Sequence, residues 1–153
     1  MEFNAHYSSA TPEWATPQFL FDALNQEFGF TLDPSATPEN AKCKRYFTKE
    51  VDGLSQDWSD EVVFMNPPYG KEIGNWMKKA YESAQQGATI VCLIPARTDT
   101  QWWHRYAMKG EIRLLKGRLK FVGKTTGHSN AAPFPSAIIV LRPANFSIRA
   151  VAV

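Results

Sequence analysis

A run of apolar residues, Val62-Val63-Phe64-Met65, stops at Asn66-Pro67-Pro68-Tyr69-Gly70. The residue types after the stop suit one kind of chemistry. An aryl amine such as adenine N6 is a poor nucleophile, because its lone pair is delocalised into the ring. Two acceptors that take both amine hydrogens favour a more tetrahedral nitrogen and localise that pair. The side-chain oxygen of Asn66 is one such acceptor and the carbonyl of Pro67 the other. The prolines stiffen the backbone and remove two N–H donors that would compete for the same place, so the acceptors stand ready at the reacting nitrogen. Tyr69 offers a ring on which a base can stack, and a base in a duplex must leave the helix to reach it. A sulfonium methyl group is electrophilic enough to need no strong base beforehand, and the proton leaves later to solvent. Prolines after a strand also occur in turns without chemistry, but the whole Asn-Pro-Pro-Tyr run behind an apolar strand is rarer.

Such residues need a strand behind them and helices around it. Glu61–Met65 reads as a buried strand halted by Asn66. Upstream, Thr16 fits an N-cap and Pro17 a first helical position; Phe19, Leu20, Ala23, Leu24 and Phe28 follow at helical spacing up to Gly29. Phe30–Asp33 reads as a short strand ending on a carboxylate, Pro34–Asn40 as a turn, Arg45–Thr48 as a second strand and 49–60 as loop. Downstream, the stripe Ile73, Trp76, Met77, Ala80 and Ala84 predicts a helix over 71–86. Thr89–Ile94 is apolar throughout, as in a central parallel strand covered on both faces. Thr98-Asp99-Thr100-Gln101 matches a capping box that opens a short helix through Met108. Late strands are expected over 111–115, 118–122 and 136–141. The alternation implies an α/β fold with a mostly parallel central sheet, right-handed crossovers and late antiparallel strands. Ligands in such sheets sit at the carboxyl ends of the strands, which brings Asp33, Asn66 and Pro95–Thr98 to one edge.

Asn66-Pro67-Pro68-Tyr69 resembles the catalytic motif of amino-methyltransferases that act on adenine and related amines, and its surroundings resemble the phage-type DNA N6-adenine methyltransferase family. The stretches that carry the likeness are Trp14–Pro17, Glu27–Asp33, Asn40–Cys43, Asp57-Trp58, Pro95–Thr100, Gly117–Phe121 and Phe134–Ser136, spanning about residues 14 to 141. The resemblance implies a compact Rossmann-like fold that uses S-adenosylmethionine and methylates adenine N6 in double-stranded DNA by base flipping. It also implies roles for single residues. Trp14, Thr16 and Pro17 resemble the segment that covers the methionine moiety of the cofactor. Asp33 and Ala36 resemble the cofactor turn, and Asp57 the acid that meets the cofactor adenine. By residue type alone, Asp33 serves equally as a turn cap and Asp57 as a loop carboxylate. Cofactor turns usually hold glycines that let backbone approach the ligand, and Asp33-Pro34-Ser35-Ala36-Thr37 has none. The resemblance further implies a phage or prophage gene, a bacterial cytoplasmic setting, and protection of phage DNA from host restriction.

The chain has 153 residues, 44% hydrophobic and 21% charged, with a net charge of +2. That suits one globular domain, with residues 1–13 polar enough to be loosely ordered. The weak basic balance permits a nucleic-acid partner without arguing for one. Basic residues do cluster between Lys109 and Lys124, where Lys109, Arg113, Lys116, Arg118, Lys120 and Lys124 face a single acid, Glu111. With Arg97 after the central strand, Lys116, Arg118, Lys120 and Lys124 are the candidates for phosphate contact, the last on a long loop over 123–135. A solvated charged hairpin reads equally well. Trp102, Trp103 or Phe121 would supply a second stacking wall, although core packing is the more frequent role of such rings. His6, His104, His128, Cys43 and Cys92 have no metal-ligand spacing, and no apolar run reaches the ~20 residues of a membrane span. No paired acids favour a metal-dependent nuclease. So small a chain has little room for a target-recognition domain, so relaxed specificity or a homodimer is expected. Two other readings stay open: an amine methyltransferase acting on RNA or protein, and a catalytically inactive nucleic-acid-binding module of the same fold.

Overall fold

The computed structural model describes residues 15–122 and 129–143. Trp14, Lys124, His6, His128 and the polar segment 1–13 lie outside them.

Helix α1, Gln18–Phe28, buries Phe21 and Leu24 and ends on Gly29 at φ 69, in the left-handed region that glycine enters without strain. Its start departs from expectation. Pro17 occupies the cap position and no side chain caps the helix, so Thr16 is not the N-cap.

Strand β1, Val62–Met65, helix α2, Ile73–Gln85, and strand β2, Thr89–Pro95, form the expected strand–helix–strand unit. The two strands pair in parallel from Val62↔Thr89 to Met65↔Cys92. The α2 stripe of Ile73, Trp76, Met77, Ala80 and Ala84 is buried, as its spacing predicts, with Ser83 added. The next helix, α3, is short: Gln101–Arg105. Its cap is Thr100, whose hydroxyl oxygen accepts from Trp103 N at 3.3 Å, so the Thr98–Gln101 capping box does not form. A separate 3-10 turn, Ala107–Lys109, replaces the expected continuation through Met108.

The remaining strands are β3, Glu111–Leu114, β4, Lys120–Val122, β5, Ser129–Ala131, and β6, Ser136–Leu141. The main sheet runs β1-β2-β6-β3, and β4 and β5 form a two-stranded sheet of their own. β6 is antiparallel to β2, and β3 is antiparallel to β6. The sheet is therefore mixed, which corrects the expectation of a mostly parallel one. A strand buried on both faces must be apolar whichever way its neighbours run. Thr89–Pro95 thus reports its central place and not the direction of its partners; β6, buried along its whole length, is the same case. β5 lies inside the segment read as one long loop.

Two expected strands shrink to single bridges. Leu32 pairs in parallel with Val63, and Asp33 with Tyr46. The link to β1 is firm, since Phe64 N donates to Leu32 O at 2.9 Å. The chain before Asn66 thus adds a strand fragment beside β1 rather than full strands.

α1 crosses one face of the sheet from edge to edge. Near its start, Phe21 meets Phe64 of β1 edge-on, with ring centroids 5.2 Å apart. Near its end, Glu27 takes a two-pronged hydrogen bond from Arg113 of β3, both arms 2.7 Å. The loop over 49–60 holds a 3-10 turn, Gly53–Ser55, and the fully buried Trp58. Trp58 stacks on Trp76 of α2 at 6.0 Å, and its Nε1 donates to Gly53 O at 2.9 Å.

Candidate active site

β1 delivers Asn66 to its own carboxyl end, next to the end of the Leu32–Asp33 fragment. Three segments converge on this residue. Tyr69 OH donates to Asn66 Oδ1 at 2.8 Å, Asn66 Nδ2 donates to Thr16 Oγ1 at 3.0 Å, and Ser35 Oγ donates to Asn66 O at 2.8 Å. The proposed catalytic amide is therefore joined to the start of α1 and to the Asp33–Ala36 turn. Pro67 is buried and Pro68 half-buried.

Tyr69 sits inward. It is 3% exposed, and its ring lies edge-on to Phe134 at 5.5 Å and to Phe121 at 6.4 Å. Its hydroxyl also lies 3.2 Å from Leu93 O of β2, so one proton is shared between two acceptors. Burial pushes the phenol pKa well above its ordinary value, which keeps that proton in place. Phe121 thus packs beside Tyr69, but at 2% exposure it is core and presents no open stacking face. Trp103 is buried core, and Trp102 lies against Gly74 of α2.

Asp33 is a buried carboxylate, 5% exposed. Its Oδ2 accepts from Lys42 N at 3.0 Å and its Oδ1 from Ser35 N at 3.4 Å. Burial raises its pKa from 3.8 to about 6, against the lowering effect of those two N–H groups. A raised pKa means that the native state holds this proton more tightly than the unfolded chain. Asp33 therefore adds stability below pH 3.8, and that contribution is lost as pH rises through about 6. Holding a carboxylate there at neutral pH costs stability. Ala36 is buried behind it, with its N–H on Phe47 O at 3.0 Å.

The turn holds no glycine of its own, but another segment packs one against it. A Cβ on Gly53 would stand 2.1 Å from Pro34 O. The close backbone approach is made between segments, not within the turn, and reading along one segment could not find it. Ser35 and Phe134 were likewise missed as site residues: one lies inside the turn, the other just before β6.

The other expected site residues divide. Thr16 and Pro17 are buried beside Asn66. Asp57 is exposed and turned onto its own Ser59, accepting from the N–H at 2.9 Å and from the hydroxyl at 2.7 Å, which holds its carboxyl below the usual range. Arg97 is half-buried with its guanidinium 5.9 Å from the Phe134 ring, so it borders the aromatic group around Tyr69. Lys116, Arg118 and Lys120 are exposed, and Arg118 donates to Ala132 O at 3.3 Å. Arg113 is engaged by Glu27 and Glu111. Replacing Arg113 with alanine is therefore expected to cost about 1 kcal/mol of stability, since surface ion pairs contribute little each, and to leave the salt dependence of DNA binding as it was. If Lys116 and Lys120 contact phosphate, Lys116→Ala and Lys120→Ala lower that slope by about 1 each. Salt titrations of binding check both; a flattened slope in Arg113→Ala would contradict the division.

Among the described residues no His, Cys, Asp and Glu side chains group to hold a metal. Burial pushes the Cys43 thiol up to about 12 and the Cys92 thiol up as well, so neither is a ready nucleophile. No helix among the described residues is long and apolar enough to cross a membrane.

The arrangement is a polar amide held at a strand end, next to a buried carboxylate and a group of rings. A family model described as DNA N-6-adenine-methyltransferase (Dam) matches residues 6–152. The chain belongs to this family. Among its relatives is the DNA N-6-adenine-methyltransferase of Haemophilus phage HP1 (strain HP1c1), 27% identical over 135 residues, which are 85% of this chain and 78% of that protein. The protein of the same name in Escherichia phage T1 is 32% identical over 92 residues, 59% of this chain and 38% of its own length.

Proposed function

We propose that this chain is an S-adenosylmethionine-dependent DNA methyltransferase that methylates the exocyclic amine of adenine, with Asn66 and Pro67 as the acceptors for the amine hydrogens. The observation that carries this reading is the Asn66 amide at the end of β1, bonded at both ends and tied through Ser35 to the turn of the buried Asp33. Family membership and the phage relatives support the adenine substrate.

The donor set suits the cofactor, because S-adenosylmethionine carries a net positive charge and Asp33 is a buried anion one turn from Asn66. When bound, the cofactor supplies an electrophilic methyl group whose bonding pair goes to sulfur on transfer. The protein's part is to bind, orient and exclude water. Asn66 Oδ1 and the Pro67 carbonyl draw the amine hydrogens and localise the lone pair on nitrogen. Tyr69, Phe121 and Phe134 are buried against one another beside Asn66, so they back the site from within rather than offer an open face for the base to stack on. Arg97, Lys116, Arg118 and Lys120 are the proposed DNA contacts, by charge and place. Asp33, Thr16, Pro17 and Ala36 are proposed around the cofactor, with Asp57 the least supported because it is spent on Ser59.

If Asp33 meets the cofactor as an anion, cofactor affinity falls about fivefold from pH 6 to pH 5, approaches a tenfold loss per unit below that, and levels off above about 7. Equilibrium binding across that range checks it, and Asp33→Asn is expected to bind weakly with a flat profile. A flat profile in the wild type would remove Asp33 from the cofactor site.

The function itself is tested by transfer of labelled methyl to unmethylated duplex DNA, followed by nucleoside analysis. N6-methyladenine supports the proposal. Labelled RNA or protein with unlabelled DNA would redirect it to another amine, and absent cofactor binding would leave a nucleic-acid-binding module.

A further inference from the structure

Local rules give the Thr16 hydroxyl to the first turn of α1, where a side-chain oxygen satisfies an otherwise orphaned N–H. The structure spends it elsewhere. No side chain caps α1, and Thr16, 4% exposed, accepts from Asn66 Nδ2 at 3.0 Å across 50 positions of sequence. Its backbone is held for this task. Pro17 follows, buried and at φ −59, and a residue before proline is confined to extended conformations. A β-branched side chain is also stiff at χ1. At the other end of the same amide, Tyr69 OH donates to Asn66 Oδ1 at 2.8 Å.

A primary amide has a donor end and an acceptor end of almost the same shape. Only the acceptor end can take the hydrogens of an amine; the donor end repels them. We propose that Thr16 is a positioning residue for methyl transfer: its hydroxyl anchors Asn66 Nδ2 and thereby keeps Oδ1 turned to the reacting amine. This rests on the reading of Asn66 as the amine's acceptor. It differs from the cofactor contact that resemblance assigns to Thr16, and the two roles separate kinetically. An anchor of the amide acts on kcat, whereas a cofactor ligand acts on cofactor affinity.

The experiment compares wild type, Thr16→Val, Thr16→Ser, Asn66→Ala and the double variant Thr16→Val/Asn66→Ala. It measures kcat for labelled methyl transfer to duplex DNA at saturating S-adenosylmethionine, cofactor Kd by equilibrium binding, and thermal melting. Thr16→Val, which keeps the shape and loses the hydroxyl, is expected to lower kcat about tenfold or more, the worth of one hydrogen bond, with cofactor Kd within about twofold. Thr16→Ser restores kcat to within about threefold of wild type. In the Asn66→Ala background Thr16→Val has no further effect, because the amide it served is gone. If Thr16→Val unfolds, the serine variant's near-normal kcat and the smaller truncation Thr16→Ala, with the loss expected of valine, carry the same distinction. The proposal is overturned by an unchanged kcat in a folded Thr16→Val, by a weakened cofactor Kd with normal kcat, or by an equal loss with and without Asn66. An Asn66→Ala enzyme as fast as wild type removes the underlying reading and this proposal with it, whereas a slow Asn66→Ala beside a normal Thr16→Val removes the Thr16 role alone.

Discussion

Asn66→Ala lowers the rate of methyl transfer by about 10²–10³-fold, the usual consequence of removing one preorganised polar group at a reacting centre, while cofactor affinity stays within about twofold. The split follows from where the amide sits. On the proposed reading its oxygen takes an amine hydrogen, and within the protein the same side chain bonds to Thr16 and Tyr69. Truncation therefore removes an interaction realised in the transition state and leaves the Asp33 turn in place. Asn66→Asp sharpens the expectation. A carboxylate keeps the acceptor and loses the donor to Thr16, whose hydroxyl can donate instead. It should fall between alanine and wild type. Single-turnover rates with each variant check the order; a cofactor affinity that drops in step with the rate would show that Asn66 holds the cofactor rather than the amine.

Gly53→Ala unsettles both stability and cofactor binding. The added Cβ would lie 2.1 Å from Pro34 O, and a backbone atom cannot rotate away as a side chain can. Either the 3-10 turn at Gly53–Ser55 or the Asp33–Ala36 turn must shift. The first is pinned by the buried Trp58, whose indole donates to Gly53 O and stacks on Trp76. Overpacking of this kind costs about 3 kcal/mol, or about 6–12 °C in Tm for a domain of this size. Because Pro34 joins Asp33 to Ser35, the same shift loosens the turn beside Asn66 and weakens cofactor affinity. Gly29→Ala is the control. Gly29 has a positive φ, which Gly53 does not, and open space around it, so alanine there costs about 1–2 kcal/mol of backbone strain and leaves cofactor affinity alone. Equal melting temperatures and affinities for Gly53→Ala and wild type would defeat the prediction.

What was legible in the sequence follows from how each signal is carried. The α2 stripe and the apolar run of β2 repeat over many residues, so both elements could be read with nearly correct ends. Asn66–Tyr69 is legible because its chemistry sits in four adjacent residues. Relations between distant segments were not. Thr16 satisfies every local rule for a helix cap, and only the fold shows its hydroxyl on Asn66. The close packing of Gly53 against Pro34 was equally hidden, because it joins two segments that no pattern in either one connects. Strand direction was misjudged because burial on both faces, all that the β2 pattern reports, is also met by the antiparallel β6. Arg113 was read as one of a basic cluster facing a single acid, Glu111, because no local feature announces Glu27, 86 positions away.

The place of β6 has a consequence for how the sheet is assembled during synthesis. Among the described residues β6 is the last strand of the sheet to leave the ribosome, yet it lies between β2 and β3. Until Ser136–Leu141 emerges, β3 has no neighbour in the main sheet, and β2 presents an open, wholly apolar edge of the kind that pairs with other chains. Only the local β1–α2–β2 unit can form early; the long-range closure waits for that final segment, as the slow step in such topologies does. A product halted after β3 is thus left with its stickiest edge uncovered, which makes the last strand the one that renders the nascent chain safe from aggregation.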